Sequence, residues 1–186
     1  MKLNLACGQD IRKGYINCDQ FLLKGVNKKI DLEKKLPFKN NSATEIIAFK
    51  ILEHLHNPLT LMEEMHRVSK NKAIIKIIAP HTSNVNLYGC LHHFRTGINL
   101  QTFNLFLEDN KGNYQTTARY KIKYYEYQMP NIIAKKGFWS FYRKRISKRF
   151  MYQTQSFLKK HPRFVEYHLA KLINLGHFYV ELEVIK

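Results

Sequence analysis

KLNLACGQDIRKGYINCDQ, residues Lys2–Gln20, decides the fold. Lys2–Ala6 reads as a β-strand that ends at Gly8, and Tyr15–Asp19 reads as a second. A strand ending in glycine lets a ligand approach the backbone closely, because no side chain intervenes. In open α/β sheets, ligands sit beyond the carboxyl ends of the strands. A carboxylate at the end of a second strand, here Asp19, accepts both hydroxyls of a ribose. Taken singly, Gly8 also fits an ordinary turn and Asp19 a turn or cap. Only ten residues separate Gly8 from Asp19. That is short for a parallel crossover, so its helix is expected to be lost or reduced to a turn.

Moving outward, Lys29–Leu32 reads as a short third strand carrying Asp31, and Thr44–Phe49 as a fourth. Helical patterns follow at Leu52–Leu55 and Asn57–Ser69. In the second of these, Leu59, Met62, Met65, His66 and Val68 share one face. KAIIKIIA at Lys72–Ala79 is a continuous apolar run, suited to a strand covered on both sides. Alternating strands and helices predict an α/β fold with a mainly parallel sheet and helices on both faces. Leu100–Leu107 reads as a short helix. Tyr114–Gln128 and Phe178–Ile185 read as strands that close the sheet as an antiparallel C-terminal edge pair. Within the first of these, alternation sends Tyr125 and Tyr127 to one face. Between the two strands, helical pieces are expected near Phe138–Phe150 and Val165–Leu175, divided at His161–Pro162. The reading is one domain over residues 1–186, with a basic helical insertion at about 128–176.

KLNLACGQDIRKGYINCDQ, then DLEKKLPFKNNSATEIIAFKILEHLHNPLTLMEEMHRVSK, then a strand ending in APH, resembles the class I S-adenosylmethionine-dependent methyltransferases. Within them it resembles most the small type 11-like branch with a shortened first crossover. The resemblance covers about Lys2–Pro80 and implies a Rossmann-like sheet, S-adenosylmethionine as cofactor, and methyl transfer as the activity. It implies that Ala6, Cys7 and Gly8 form the loop under the methionine part of the cofactor. Asp19 would bind the ribose, with Gln20 beside it. Asp31 and Leu32 would hold the adenine. Phe49, Lys50 and Ile51 would line the sulfonium region, and Glu53 and His54 would brace the loop–helix junction. Lys50 stands where relatives often carry histidine, and its ammonium must point away from a sulfonium.

Methyl transfer needs a positioned nucleophile, and a base where the acceptor is a hydroxyl or protonated amine. The residues past the fifth strand are the place for both. His81 is the candidate base, and His92, His93 and Arg95 the candidate acceptor contacts. His81, His92 and His93 also offer three metal-ligand types, but their spacing fixes no geometry and no metal is assigned. For each of these residues a plain turn or surface role stays open.

Composition bears on the acceptor. The formal net charge is +17. Tyr127–Val165 holds ten basic and no acidic residues, so most of the excess sits there. Lys135–Tyr152 interleaves cations with aromatics, which suits an acceptor lid, nucleic acid or an acidic membrane surface. The expected function is methylation of an unidentified, anionic acceptor. The alternative is a catalytically weak or inactive module that docks on nucleic acid or an acidic membrane surface through that segment. Three cysteines without paired spacing speak against a disulfide framework and suit a cytoplasmic protein. No stretch is apolar enough for a membrane span.

Overall fold

The structure, a computed structural model, describes residues 1–84, 87, 90–93, 97–107, 115–128, 156–172 and 174–186. Among the described residues, seven strands form one sheet: β1 (Lys2–Leu5), β2 (Ile16–Asp19), β3 (Lys28–Lys29), β4 (Ala43–Phe49), β5 (Ser69–Pro80), β6 (Arg119–Gln128) and β7 (His177–Ile185). Their spatial order is β3-β2-β1-β4-β5-β7-β6. The first five are parallel, and β7 pairs antiparallel with both β5 and β6. The mainly parallel sheet with an antiparallel C-terminal edge is therefore present. Strand order reverses at β1, which puts a topological switch point beside Gly8.

Register explains the two faces. Leu3 pairs with Ile46, Ile46 with Ile75, and Ile77 with Val180. These side chains and their alternates Leu5, Ala48 and Leu182 are fully buried. The helix α1 (Pro58–Val68) packs here through Leu61, Met62, Met65 and Val68. Pro58 occupies its first turn, where a missing N–H costs nothing. The 3-10 segment Leu100–Phe106 adds Phe103 and Phe106, and Asn99 and Thr102 form a reciprocal cap at its start. The short helix α2 (Pro162–Tyr167) adds Val165, and Pro162 begins it. Tyr125 and Tyr127 share this face and pack on Phe178, as alternation predicted.

The opposite face is polar where the first crossover helix would lie. Residues between β1 and β2 form turns only. Side-chain hydrogen bonds replace the helix: Asn4 donates to Asn17 at 3.0 Å and to the Asp10 carbonyl at 2.7 Å. Asn17 Oδ1 also accepts from the Arg12 N–H. Across β1, β4 and β5, Glu45 collects Lys2 at 2.8 Å, Lys76 at 2.7 Å and the Tyr15 hydroxyl at 2.8 Å. This is why β5 is buried on one side and half-buried on the other, rather than covered on both. Phe138–Phe150, expected to be helical, lies outside the described residues, as do the rest of Lys135–Tyr152 and Arg95.

The Glu45 cluster makes stability pH-dependent. Burial pushes the carboxyl up, but the bonds from Lys2, Lys76 and Tyr15 outweigh it and hold the pKa at about 2. A depressed carboxyl contributes stability that is full above its unfolded value and lost as pH falls through the folded one. Urea unfolding is therefore expected to show falling stability from about pH 4.5 toward 2, with Glu45→Gln flattening that slope. Parallel curves for the two proteins would refute the assignment.

Among the described residues, no helix is long and apolar enough to cross a membrane.

Candidate functional site

A cavity of about 570 Å³ opens at the carboxyl ends of β1, β2 and β3. That is ample for a small-molecule cofactor. Its floor is the turn after β1. Ala6 and Gly8 both adopt left-handed backbone, with φ of 51° and 50°. For Ala6 this conformation is strained, a feature that concentrates at binding sites. A Cβ built on Gly8 would meet nothing within 4 Å, so the space above it is open to a ligand.

Asp19 fixes this turn. Its Oδ2 accepts from the Gly8 N–H at 2.8 Å and its Oδ1 from the Phe21 N–H at 3.0 Å. The residue is only 7% exposed. An ionised carboxylate has about four lone-pair sites, so two remain for ligand hydroxyls. Asp31, by contrast, is exposed. The Glu33 N–H and the Lys34 ammonium bond its carboxylate and hold its pKa below the usual range, keeping it ionised. Glu33 accepts from the His56 N–H at 2.6 Å, which ties the loop after β3 to the loop before α1.

The expected cofactor set divides at the cavity wall. Ala6, Gly8, Asp19, Gln20, Asp31, Leu32 and Ile51 line it. Cys7, Phe49 and Lys50 do not. Cys7 is buried beneath the turn, bonded through its backbone to Cys18 and Asp10, and burial pushes its thiol pKa up. The Phe49 ring is turned away, with the Arg12 guanidinium 5.2 Å from its centroid. Lys50 is exposed, with φ of 54°.

His81 was expected as a base at the acceptor. Its side chain is fully buried and absent from the cavity wall. Nδ1 is 2.9 Å from the Ser83 hydroxyl and Nε2 is 3.2 Å from Glu166. Glu166 also accepts from Tyr127 and from the Leu100 N–H. Burial pushes Glu166 up, yet His81 and these donors more than offset it and hold its pKa low. Both ring nitrogens of His81 are thus engaged in bracing the strand end. Gly97 lies against the same strand end, where any Cβ would sit 2.4 Å from the Pro80 carbonyl.

Of the expected acceptor contacts, His92 lines the cavity, and His93 packs edge-on against His54. Sequence reasoning missed Phe21 and Leu23 as wall residues. Their signal was an apolar FLL run directly after Asp19–Gln20, all of it exposed in the fold. His54, expected only to brace, also lines the wall. Beside it Glu53 is buried, its Oε2 has no hydrogen-bond partner among the described residues, and burial pushes its pKa up. It lines a second, mainly apolar cavity of about 290 Å³ with Met62, Ile98 and Phe103.

Comparison with known proteins bears on the fold. Residues 5–77 match the family model described as a methyltransferase domain. No curated protein matches the chain. Among solved structures, a methyltransferase from Archaeoglobus fulgidus, dependent on S-adenosylmethionine, superimposes with a TM-score of 0.55 at 15% identity, covering 98% of this chain and 85% of the other. Another from Mesorhizobium loti gives 0.55 at 12% identity, over 98% and 89%. A putative methyltransferase from Haloferax volcanii, solved in complex with the activator Trm112, gives 0.56 at 10% identity, over 100% and 82%. With the methyltransferase-domain model matching residues 5–77 and these structures superimposing over nearly the whole chain, the chain takes the Rossmann-like fold of the S-adenosylmethionine-dependent methyltransferases.

Proposed function

We propose that this chain transfers the methyl group of S-adenosylmethionine to an anionic acceptor. The observation that carries the reading is the convergence of an open glycine turn, a buried Asp19 and an ionised Asp31 on one cavity. When bound, the cofactor supplies a methyl group activated by a sulfonium. Asp19 is assigned to the ribose hydroxyls, through its two remaining lone-pair sites. Asp31 is assigned to the exocyclic amine of the adenine, with Leu32 and Ile30 as apolar walls. The backbone of Ala6 and Gly8 takes the methionine part. The chain's task in transfer is positioning and exclusion of water. The acceptor approaches past His92 and His93, with Arg95 as the anion contact. The ten cations of Tyr127–Val165 support an anionic acceptor, since a one-signed field raises the local concentration of an oppositely charged substrate.

Isothermal calorimetry with S-adenosylmethionine and with S-adenosylhomocysteine tests the reading. One equivalent of each is expected to bind in the micromolar range, about −8 kcal/mol. Absence of binding by either overturns it. The docking reading for Lys135–Tyr152 rests on its sequence alone. It requires salt-sensitive binding to RNA or to anionic vesicles.

A further inference from the structure

Three histidines from two distant stretches of chain meet at the rim of the cofactor cavity. One ring nitrogen each from His54, His92 and His93 lies within 4.8 Å of the others. The rings touch. His54 and His92 stack with centroids 4.8 Å apart, and His93 stands edge-on to them at 4.7 and 5.4 Å. This trio differs from the one that sequence offers, because His81 is sealed in the core and His54 takes its place.

Two of the three rings are already oriented. His54 Nδ1 lies 3.1 Å from the His92 carbonyl, and His93 Nδ1 lies 3.1 Å from the Leu87 carbonyl. A carbonyl only accepts, so the hydrogen-bond network assigns the proton to Nδ1 in both. Each Nε2 then keeps its lone pair. Metal-ligating histidines are almost always held this way, by a backbone carbonyl or carboxylate on the far nitrogen. Imidazole donors favour zinc, cobalt, nickel or copper over magnesium or calcium. A tetrahedral zinc ion with bonds of about 2.0–2.1 Å needs its nitrogens about 3.4 Å apart. His92 is exposed, so its ring is free to close that distance.

We propose that His54, His92 and His93 bind a divalent transition-metal ion of the zinc type, with the fourth position open to the cavity. Three protein ligands and an open position mark catalytic rather than structural sites. His54 and His92 both line the cavity wall, which faces the ion toward an arriving acceptor. Cys90 lies 3.3 Å from the His92 ring nitrogens but outside the trio. The role rests on the methyl-transfer reading: the ion would bind an acceptor hydroxyl and lower its pKa, its proton would pass to water, and its oxygen would take the methyl group as the methyl–sulfur bond breaks and leaves a neutral thioether. The site itself stands without that reading.

The test uses the untagged full chain, stripped with a chelator, then titrated with Co²⁺ and dialysed against Zn²⁺. One ion per chain is expected, with visible cobalt absorption of a low-coordinate site. His54→Ala and His93→Ala are expected to weaken uptake roughly 100-fold or more, since a direct ligand matters at least as much as its outer partners. His168→Ala, a histidine far from the trio in sequence, keeps full uptake. S-adenosylmethionine binding is measured in parallel on the metal-free protein. Cofactor binding without metal uptake overturns the metal site alone, and metal uptake without cofactor binding supports the site while overturning the cofactor reading. Retained uptake in His54→Ala overturns the ligand set. A thiolate-to-cobalt band that disappears in Cys90→Ser overturns the open fourth position.

Discussion

Asp19→Ala is expected to weaken S-adenosylmethionine binding about 100-fold or more, because each hydrogen bond to a charged group contributes about 1.5–3 kcal/mol. The substitution removes more than a ribose contact. Asp19 accepts from the Gly8 and Phe21 N–H groups, so it shapes the turn that the ligand rests on. Without it, two backbone donors lose their acceptor and the strained turn at Ala6 loses its restraint. Asp19→Asn retains one acceptor oxygen, so an intermediate loss is expected. Thermal melting run beside the calorimetry separates binding from folding. An Asp19→Ala protein that melts and binds like the wild type would remove Asp19 from the cofactor site.

The largest stability effect is expected at Glu166. Its side chain is 4% exposed and its partner His81 is 0% exposed. Removing this buried acceptor leaves its donors unsatisfied at about 1–3 kcal/mol each, and a loss of about 3–5 kcal/mol in all is expected. For a chain of this length that lowers the melting temperature by roughly 6–20 °C. Glu166→Ala also deprives Tyr127 and the Leu100 N–H of an acceptor. Glu166→Gln keeps an acceptor oxygen and is expected to lose less. The pH dependence has a definite sign. The Glu166 pKa is depressed, so its contribution is full above the ordinary value of 4.5 and is lost as pH falls below it. If Glu166→Ala melts like the wild type, the brace is refuted. A drop in turnover at unchanged melting temperature would instead restore His81 to the chemistry.

Much of the fold was legible because its signals are local. The strand–Gly–strand–Asp order of Lys2–Asp19 gives β1, β2 and the floor of the cavity within twenty residues. The apolar run before APH gives β5, and Pro162 marks the start of α2. What sequence could not give depends on register between distant segments. The half-exposed side of β5 follows from a Lys76–Glu45 pair across two strands, while a run of isoleucines suggested burial on both sides. His81 looked like a base because it ends a strand on the cofactor side. Only the folded chain brings Glu166 from the late helix onto its Nε2. For the same reason the histidine trio was hidden: His54 and His93 are far apart in sequence, and their meeting is a product of the rim loops.

The crossover without a helix also sets the order of conformational costs along the sheet. Leu3 finds Ile16 after one short turn, whereas Ile77 must find Val180 across the whole late half of the chain. By the logarithmic law of loop closure, the second contact costs about 2 kcal/mol more chain entropy than the first. The edge assigned to the cofactor is thus the least costly part of the sheet to close. The β5–β7 seam carries the greater entropic debt and rests on the apolar layer and the His81–Glu166 pair to offset it. The two edges of one sheet therefore draw on different sources of order, local connectivity at one and distant packing at the other.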